Sequence, residues 1–178
     1  MAATFEELET LLDRGGKIKF ANDIEIPNSE VCELTKDVDI DLNGHTLKGG
    51  LANDGFDCKI KNGKINTHRT PLDSNGGTTD VTNCELTTNG STAVSVSGGT
   101  VTLTDCKMVR EDRTPAIVVE NTGTLILKGN SVVSGKAALW GGTTVIGAGT
   151  YDFDPTNYVD ENSFTIAKDG ENWVVTAK

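Results

Sequence analysis

The stretch Thr100-Val-Thr-Leu-Thr-Asp-Cys-Lys-Met-Val109 decides the fold, because the chain repeats its pattern several times. Three copies lie upstream, at Thr79-Asp-Val-Thr-Asn-Cys-Glu-Leu86, Cys58-Lys-Ile-Lys-Asn-Gly-Lys-Ile65 and Ile40-Asp-Leu-Asn-Gly-His-Thr-Leu47. One copy lies downstream, at Thr124-Leu-Ile-Leu-Lys-Gly-Asn-Ser-Val132, and a looser copy begins at Thr143. A short unit that recurs in this way is typical of a solenoid, in which successive units stack on one another.

Each copy bends at one residue that tolerates a left-handed backbone, since Asn, Asp and Gly adopt that conformation at the lowest cost. The bends fall 19, 21, 22, 24 and 18 residues apart, at Asn43, Asn62, Asn83, Asp105, Gly129 and Gly147. A repeat of about twenty residues, made of strand, corner and strand, predicts a β-solenoid.

Alternation along each strand predicts which side chains face the core, because successive residues of a strand point to opposite sides. The residues expected inside just before the corners are Leu42, Ile60, Val81, Leu103, Leu127 and Val145. The residues expected inside after the corners are Leu47, Ile65, Leu86, Met108 and Val132. The charged residues expected outside are Lys59, Asp80, Glu85, Lys107 and Lys128. The inward residues would form one continuous apolar stack.

A further strand precedes a glycine-containing bend in the later repeats, at Ala93-Val-Ser-Val96, Ala116-Ile-Val-Val119 and Ala137-Ala-Leu-Trp140. Three strands per rung favour an all-β fold of the parallel β-helix class, with about six to seven rungs. We expect it to be right-handed, from the general rule for parallel connections.

The two ends of the chain depart from the repeat. Residues 4–14 predict a helix, because Thr4 and Glu7 form a capping box and Gly15-Gly16 can end it. Its apolar stripe would cap the first rung or bind a partner. Residues 163–176 predict a β-hairpin about Asp169-Gly170, which would cover the last rung or contact another subunit. We therefore expect a single domain, 1–178, made of an N-terminal cap (1–16), rungs (17–151) and a hairpin cap (152–178).

Two groups of residues, an acidic row and the cysteines, could have a chemical role in addition to a structural one. Asp37-Val-Asp-Ile-Asp-Leu42 places three carboxylates on one outer face, which could hold calcium. The repeats instead favour a charge ladder in which Asp41 lies beside Lys59 and Lys59 beside Asp80. The cysteines are spaced like the rungs rather than like metal ligands, so we interpret them as buried thiols, with a Cys84 to Cys106 bridge as the alternative.

Two segments are predicted to be loops that leave the stack, residues 66–77 and the charged insertion 110–115. Loops on a rigid scaffold often carry function. The only histidines, His45 and His68, lack a neighbouring nucleophile or carboxylate pattern and are interpreted as surface or corner residues.

Composition excludes several classes of function. The formal charge of −10 argues against nucleic acid as a partner. We find no apolar run long enough to cross a membrane and no export signal. Paired acids, zinc spacings and phosphate loops are also missing from the sequence. We therefore expect a protein that is not an enzyme, with no catalytic, cofactor-binding or metal-binding residues.

Several segments resemble small β-helix proteins of bacteriophage virions, of the head-fibre or capsid-appendage kind. The likeness lies in Thr4-Phe-Glu-Glu-Leu8, Gly15-Gly-Lys-Ile-Lys-Phe20, Asp41-Leu-Asn-Gly-His-Thr-Leu-Lys-Gly49 and Gly149-Thr-Tyr-Asp-Phe-Asp-Pro-Thr-Asn-Tyr-Val159. The same segments are similar to repeats in secreted surface proteins of gut bacteria. The resemblance implies a non-catalytic virion accessory protein, made in the host cytoplasm, that contacts a capsid or other virion protein and sits exposed on the particle. A bacterial surface adhesion module and a glycan-binding or glycan-cleaving β-helix are the alternatives, and homo-oligomers are compatible with each.

Overall fold

A computed structural model describes residues 1–110 and 115–178 and confirms the all-β parallel β-helix, with about six turns. The chain begins with helix α1, Phe5–Arg14. The strands of the first turns are β1 Gly16–Lys19, β2 Ile24–Glu25, β3 Val31–Glu33, β4 Val38–Asp41, β5 Thr46–Lys48, β6 Gly50–Thr67, β7 Leu72–Thr88 and β8 Val94–Thr104. The remaining strands are β9 Lys107–Arg110, β10 Pro115–Val119, β11 Thr124–Lys128, β12 Ser131–Ser134, β13 Lys136–Leu139, β14 Thr143–Ile146, β15 Gly149–Tyr151, β16 Phe164–Asp169 and β17 Asn172–Ala177. Two short 3-10 helices occupy Pro27–Ser29 and Thr156–Tyr158.

The strands stack in parallel on three faces, and the long strands β6 and β7 each continue around all three. Face 1 consists of β3, the starts of β6, β7 and β8, then β10 and β13. Face 2 consists of β1, β4, the middles of β6 and β7, the end of β8, then β11 and β14. Face 3 consists of β2, β5, the ends of β6 and β7, then β9, β12 and β15. The predicted three strands per rung are confirmed, and face 1 is present in the early turns too.

The core is the predicted apolar stack. On face 2 one column runs through successive turns in register, and no member is more than 2% exposed: Ile18, Ile40, Ile60, Val81, Leu103, Leu127 and Ile146. A single turn would leave this apolar surface in water, so stacking of turns is what buries it. The five charged residues predicted to face outward are not buried.

The corners also follow the sequence. The backbone is left-handed, with φ between 53° and 66°, at Asn43, Asn62, Asn83, Asp105 and Gly129. Gly147 is the exception and does not adopt a positive φ. There the hydroxyl of Tyr151 donates to the carbonyl oxygens of Gly147 and Ala148.

Two predicted core residues in the last turns are wrong by one position. Val145 is 46% exposed, and its neighbour Ile146 is buried instead. Val132 is half-buried, and Val133 pairs with Met108 in the core. A slip of one residue moves every side chain of a strand to the opposite face, so these two strands present the other half of their sequence to the core.

The N-terminal cap is confirmed. The hydroxyl of Thr4 accepts a hydrogen bond of 3.3 Å from the backbone N–H of Glu7, and Leu8 and Leu12 are buried against the first turn. Ahead of the helix, Ala2 forms a parallel bridge to Phe20. The helix therefore closes the end of the core that the first strands would leave open.

The C-terminal hairpin is confirmed as well. Strand β17 pairs antiparallel with both β16 and β15, so the hairpin extends face 3 by two strands beyond the last turn. Val175 is buried in the core, while Phe164, Ile166 and Trp173 pack against it half-buried. The hairpin therefore lies on face 3, and Phe153, Tyr158 and Val159 in the connection before it also pack against the core.

The prediction of a loop at residues 66–77 is wrong. Strand β6 continues to Thr67 and β7 begins at Leu72, so only residues 68–71 separate them. The Gly76-Gly77 pair that resembled a loop lies inside β7, where the backbone of the previous turn approaches so closely that a side chain would not fit. The charged insertion predicted at 110–115 falls mainly on residues 111–114, which lie outside the described part of the chain.

Candidate functional site

The outer side of face 2 carries a charge ladder, defined here as Lys17, Asp39, Lys59 and Asp80. These four residues lie opposite one another on successive strands. The predicted Lys59–Asp80 neighbours are confirmed. The predicted Asp41–Lys59 pair is wrong: Asp39 lies opposite Lys59, and Asp41 lies opposite Lys61.

The error has a local cause in the first corner. Before that corner Asp41 pairs 20 positions later, with Lys61, whereas after it Leu47 pairs 18 positions later, with Ile65. The corner of the first turn is therefore two residues longer than the next one. A single alignment offset cannot describe both of its sides.

The carboxylates of the acidic row are engaged by the protein itself. Lys61 Nζ lies 3.1 Å from Asp39 Oδ1. Asp41 Oδ1 accepts hydrogen bonds from the Asn43 backbone N–H at 2.9 Å and from Asn62 Nδ2 at 3.2 Å. Within the described residues, no three Asp, Glu, His or Cys side chains come together in a way that could hold a metal ion. The geometry therefore favours the ladder over the calcium interpretation.

A shallow groove of about 530 Å³ runs along the N-terminal part of face 2. Its walls are the charge ladder with Asp37, Asp57 and Thr78. Strands of one sheet lie about 4.8 Å apart, so the groove presents a carboxylate, ammonium or hydroxyl group at each such step. This arrangement can hydrogen-bond a hydroxyl-rich ligand.

The thiols are buried and unbridged. Cys58, Cys84 and Cys106 lie in the core, Cys32 is half-buried, and all four are free, so the buried-thiol interpretation fits and the bridge does not form. Desolvation raises the pKa of Cys32 to about 11 and that of Cys58 and Cys84 to about 12. A thiol whose pKa is raised is a poor nucleophile at neutral pH, so these cysteines pack the core rather than react.

Both histidines lie at the surface, as predicted. His45 is half-buried at the first corner, and its Nδ1 lies 3.4 Å from Asp23 Oδ1. His68 is exposed in the short connection between β6 and β7.

The second candidate site is the C-terminal end of the solenoid. The hairpin covers β15 on face 3, but among the described strands β13 on face 1 pairs only with β10. Trp140 follows β13 and is 75% exposed. The inward residues Ala137 and Leu139 are half-buried.

Charge is scarce at this end. From residue 129 to residue 151 the only charged side chain is Lys136, in a chain whose overall charged fraction is 24%. Charge depletion around an exposed tryptophan is typical of the centre of a protein–protein contact. The sequence predicts a strand that ends at Trp140, and the gap in charge around it is the signal that marks this end as a candidate site.

Comparison with protein-family models, curated proteins and solved structures found no match to this chain. Within the described residues, no helix has the length and apolar character required to cross a membrane.

Proposed function

We propose that this protein is a non-catalytic structural module, fixed to a larger particle by the C-terminal end of its solenoid. The observation that carries the proposal is the difference between its two ends. At the N-terminal end, α1 and the Ala2 bridge close the core. At the C-terminal end, Trp140 stays 75% exposed in a region, residues 129–151, with one charged side chain. Exposed apolar surface of this kind is typical of a binding surface.

The particle that we propose is a bacteriophage virion, on which the chain serves as a head fibre or capsid decoration. The sequence resemblance described above supports this choice. The fold is compatible with it, because a stack of hydrogen-bonded turns forms a stiff body that can project from a surface. The net charge of −10 favours solubility of the sides that remain in water.

Purified virions of the phage that encodes the chain provide the test. We expect mass spectrometry to detect the chain on wild-type particles and to find it strongly depleted when Trp140→Ser is introduced. Lys59→Ser, an exposed change on face 2, is the matched control and should be retained. Absence of the wild-type chain from virions contradicts the proposal, and full retention of Trp140→Ser contradicts attachment through this end.

The groove on face 2 favours a second candidate, a glycan-binding module of a virion or of a bacterial cell surface. Its carboxylates, ammonium groups and Thr78 can hydrogen-bond sugar hydroxyls. A glycan array decides this candidate: binding by the wild type that is lost in Asp39→Asn with Lys59→Met supports it. In that case Trp140→Ser should bind the same glycans as the wild type.

A further inference from the structure

We propose that the charge ladder on face 2 binds a glycan in which ammonium and carboxylate groups alternate along the chain. This inference rests on the glycan-binding candidate for the groove and identifies the class of glycan that the groove takes. It does not depend on how the protein is attached to a particle.

The ladder charges alternate in sign along the axis of the solenoid. Lys17 lies opposite Asp39 on the next strand, and Asp39 lies opposite Lys59. Asp80 follows on the fourth strand, opposite Lys59. Strands lie about 4.8 Å apart, so the sign changes at each such step and charges of the same sign recur about every 10 Å. Two linked sugar rings of an extended glycan span a similar length.

The ladder charges are free to bind a ligand because they do not pair with one another. Within the described part of the chain, no ion pair forms to the side chains of Lys17, Lys59 or Asp80. On face 3, by contrast, the opposed residues Lys64 and Glu85 approach to 2.8 Å. Residues that lie opposite each other on neighbouring strands can therefore pair in this fold, but those of the ladder do not.

The groove gives a glycan room to lie along this line. Its volume is about 530 Å³, and its lining residues belong to β1, β4, β6 and β7 or directly precede them, so it crosses four strands. Lys17 and Lys59 are exposed along it, while Asp39 and Asp80 are half-buried. Asp39 binds Lys61 through Oδ1, which leaves the second carboxylate oxygen for a ligand.

The order of the charges discriminates between classes of glycan. A glycan with carboxylates alone places negative groups beside Asp39 and Asp80. A glycan with ammonium groups alone places positive groups beside Lys17 and Lys59. Each of these glycans meets a like charge at every second step, which is unfavourable. A glycan with alternating charges meets an opposite charge at every step.

Two further acids make the discrimination unequal. Asp37 and Asp57 line the groove beside the ladder, and Asp37 Oδ1 accepts a hydrogen bond of 2.9 Å from the backbone N–H of Asp57. Their negative charge disfavours a purely acidic glycan most strongly. Lys17 and Lys59 are therefore the groups that distinguish an alternating glycan from a purely basic one.

Three polymers that differ in charge pattern test the inference, by calorimetric titration of the full chain. The probe is fully N-deacetylated hyaluronan, in which carboxylate and ammonium groups alternate. Its controls are hyaluronan, with carboxylates only, and chitosan, with ammonium groups only. In about 0.15 M salt, which screens non-specific attraction, we expect the probe to bind at least about tenfold more tightly than either control. Equal or tighter binding of hyaluronan or chitosan overturns the inference.

Two double variants separate the ladder from general electrostatic attraction. Lys17→Gln with Lys59→Gln should weaken binding of the probe at least about tenfold and leave binding of chitosan equal or stronger. Lys107→Gln with Lys136→Gln makes the same change of net charge at exposed positions on faces 3 and 1, and should bind the probe as the wild type does. Urea denaturation checks that both variants are folded. Equal losses in the two variants, or unchanged affinity in the ladder variant, overturn the inference.

A glycan array distinguishes this inference from the glycan-binding candidate. Binding of uncharged or purely acidic glycans that is lost in Asp39→Asn with Lys59→Met overturns the inference, while the glycan-binding candidate stands. If neither the polymers nor the arrayed glycans bind, both fail, and attachment through the end that carries Trp140 is unaffected.

Discussion

The side-chain nitrogen of Asn83 donates a hydrogen bond of 3.3 Å to the side-chain oxygen of Asn62, one turn earlier. Asn62 in turn donates to Asp41, and both asparagines have a left-handed backbone, with φ of 53° and 59°. Asparagine suits such a column, because it tolerates that conformation and its amide carries both a donor and an acceptor. The column ties together the corners of successive turns.

Replacing one member of this column should therefore weaken the fold. We expect Asn83→Ala to lower the free energy of unfolding by about 1–2 kcal/mol, because alanine in a left-handed conformation is strained and the hydrogen bond is lost. Asn83→Gly is the control: it relieves the strain but still lacks the amide, and should lose less. Urea denaturation measures both, and equal stability of Asn83→Ala and the wild type would contradict this account.

The last turn offers a direct test of strand register. Ile146 is 1% exposed and continues the face 2 column, whereas Val145 is 46% exposed. We expect Ile146→Ala to cost about 2–4 kcal/mol, because it leaves a cavity. Val145→Ala should change stability by no more than about 0.5 kcal/mol. The reverse order in urea denaturation would restore the register predicted from the sequence.

The sequence predicted the core where polar and apolar residues alternate and failed where they do not. In Lys59-Ile60-Lys61 only one register buries an apolar side chain. Val132-Val133 and Val145-Ile146 offer two adjacent β-branched residues, so either register buries one of them. The length of the corner before the strand decides which of the two registers is adopted. That length depends on where the chain rejoins the strand of the previous turn, and the local alternation of residues does not determine it.

The candidate site was less predictable than the fold, for a similar reason. The strand ending at Trp140 could be predicted from its own residues. Alternation places Trp140 outward, because Ala137 and Leu139 point inward. What an outward side chain contacts depends on the packing of distant segments, which alternation does not encode.

Substitution of the two tryptophans should change the free energy of unfolding by very different amounts. Trp140 is 75% exposed, so Trp140→Ser should change the free energy of unfolding by no more than about 0.5 kcal/mol. Trp173 is half-buried against the core, with the Lys168 ammonium 5.7 Å from its ring centroid, so Trp173→Ser should destabilise clearly. Urea denaturation of both variants compares them. A large loss for Trp140→Ser would mean that this side chain supports the fold rather than a contact.

The thiols should be protected in the native state. Burial raises the pKa of Cys58 and Cys84 to about 12 and that of Cys32 to about 11, so very little thiolate exists at pH 8. We expect an aromatic disulfide reagent to label the folded protein slowly, beginning at the half-buried Cys32, and to label all four cysteines at once in urea. Cys32→Ser should remove the first native phase. Fast native labelling that survives Cys32→Ser would contradict the burial of the other three.

The ion pair between Lys64 and Glu85 should contribute to the loss of stability in acid. The two residues lie opposite each other on face 3, with Nζ 2.8 Å from Oε1. The hydrogen bond from Lys64 lowers the pKa of Glu85 below the 4.5 of an unperturbed glutamate. A carboxyl whose pKa is lower in the folded state adds stability above pH 4.5 and loses it as the pH falls through the folded pKa.

Glu85→Gln cannot lose this contribution, because glutamine does not titrate. We therefore expect its free energy of unfolding to fall less between pH 7 and pH 3 than that of the wild type, as measured by urea denaturation at each pH. Lys64→Met removes the main donor and should reduce the pH dependence by less, because the Thr87 hydroxyl still donates to Glu85 Oε1 at 3.1 Å. The double variant should show no reduction beyond that of Glu85→Gln, because it lacks the titrating carboxyl. An unchanged pH dependence in Glu85→Gln would show that the pair is too well solvated to matter.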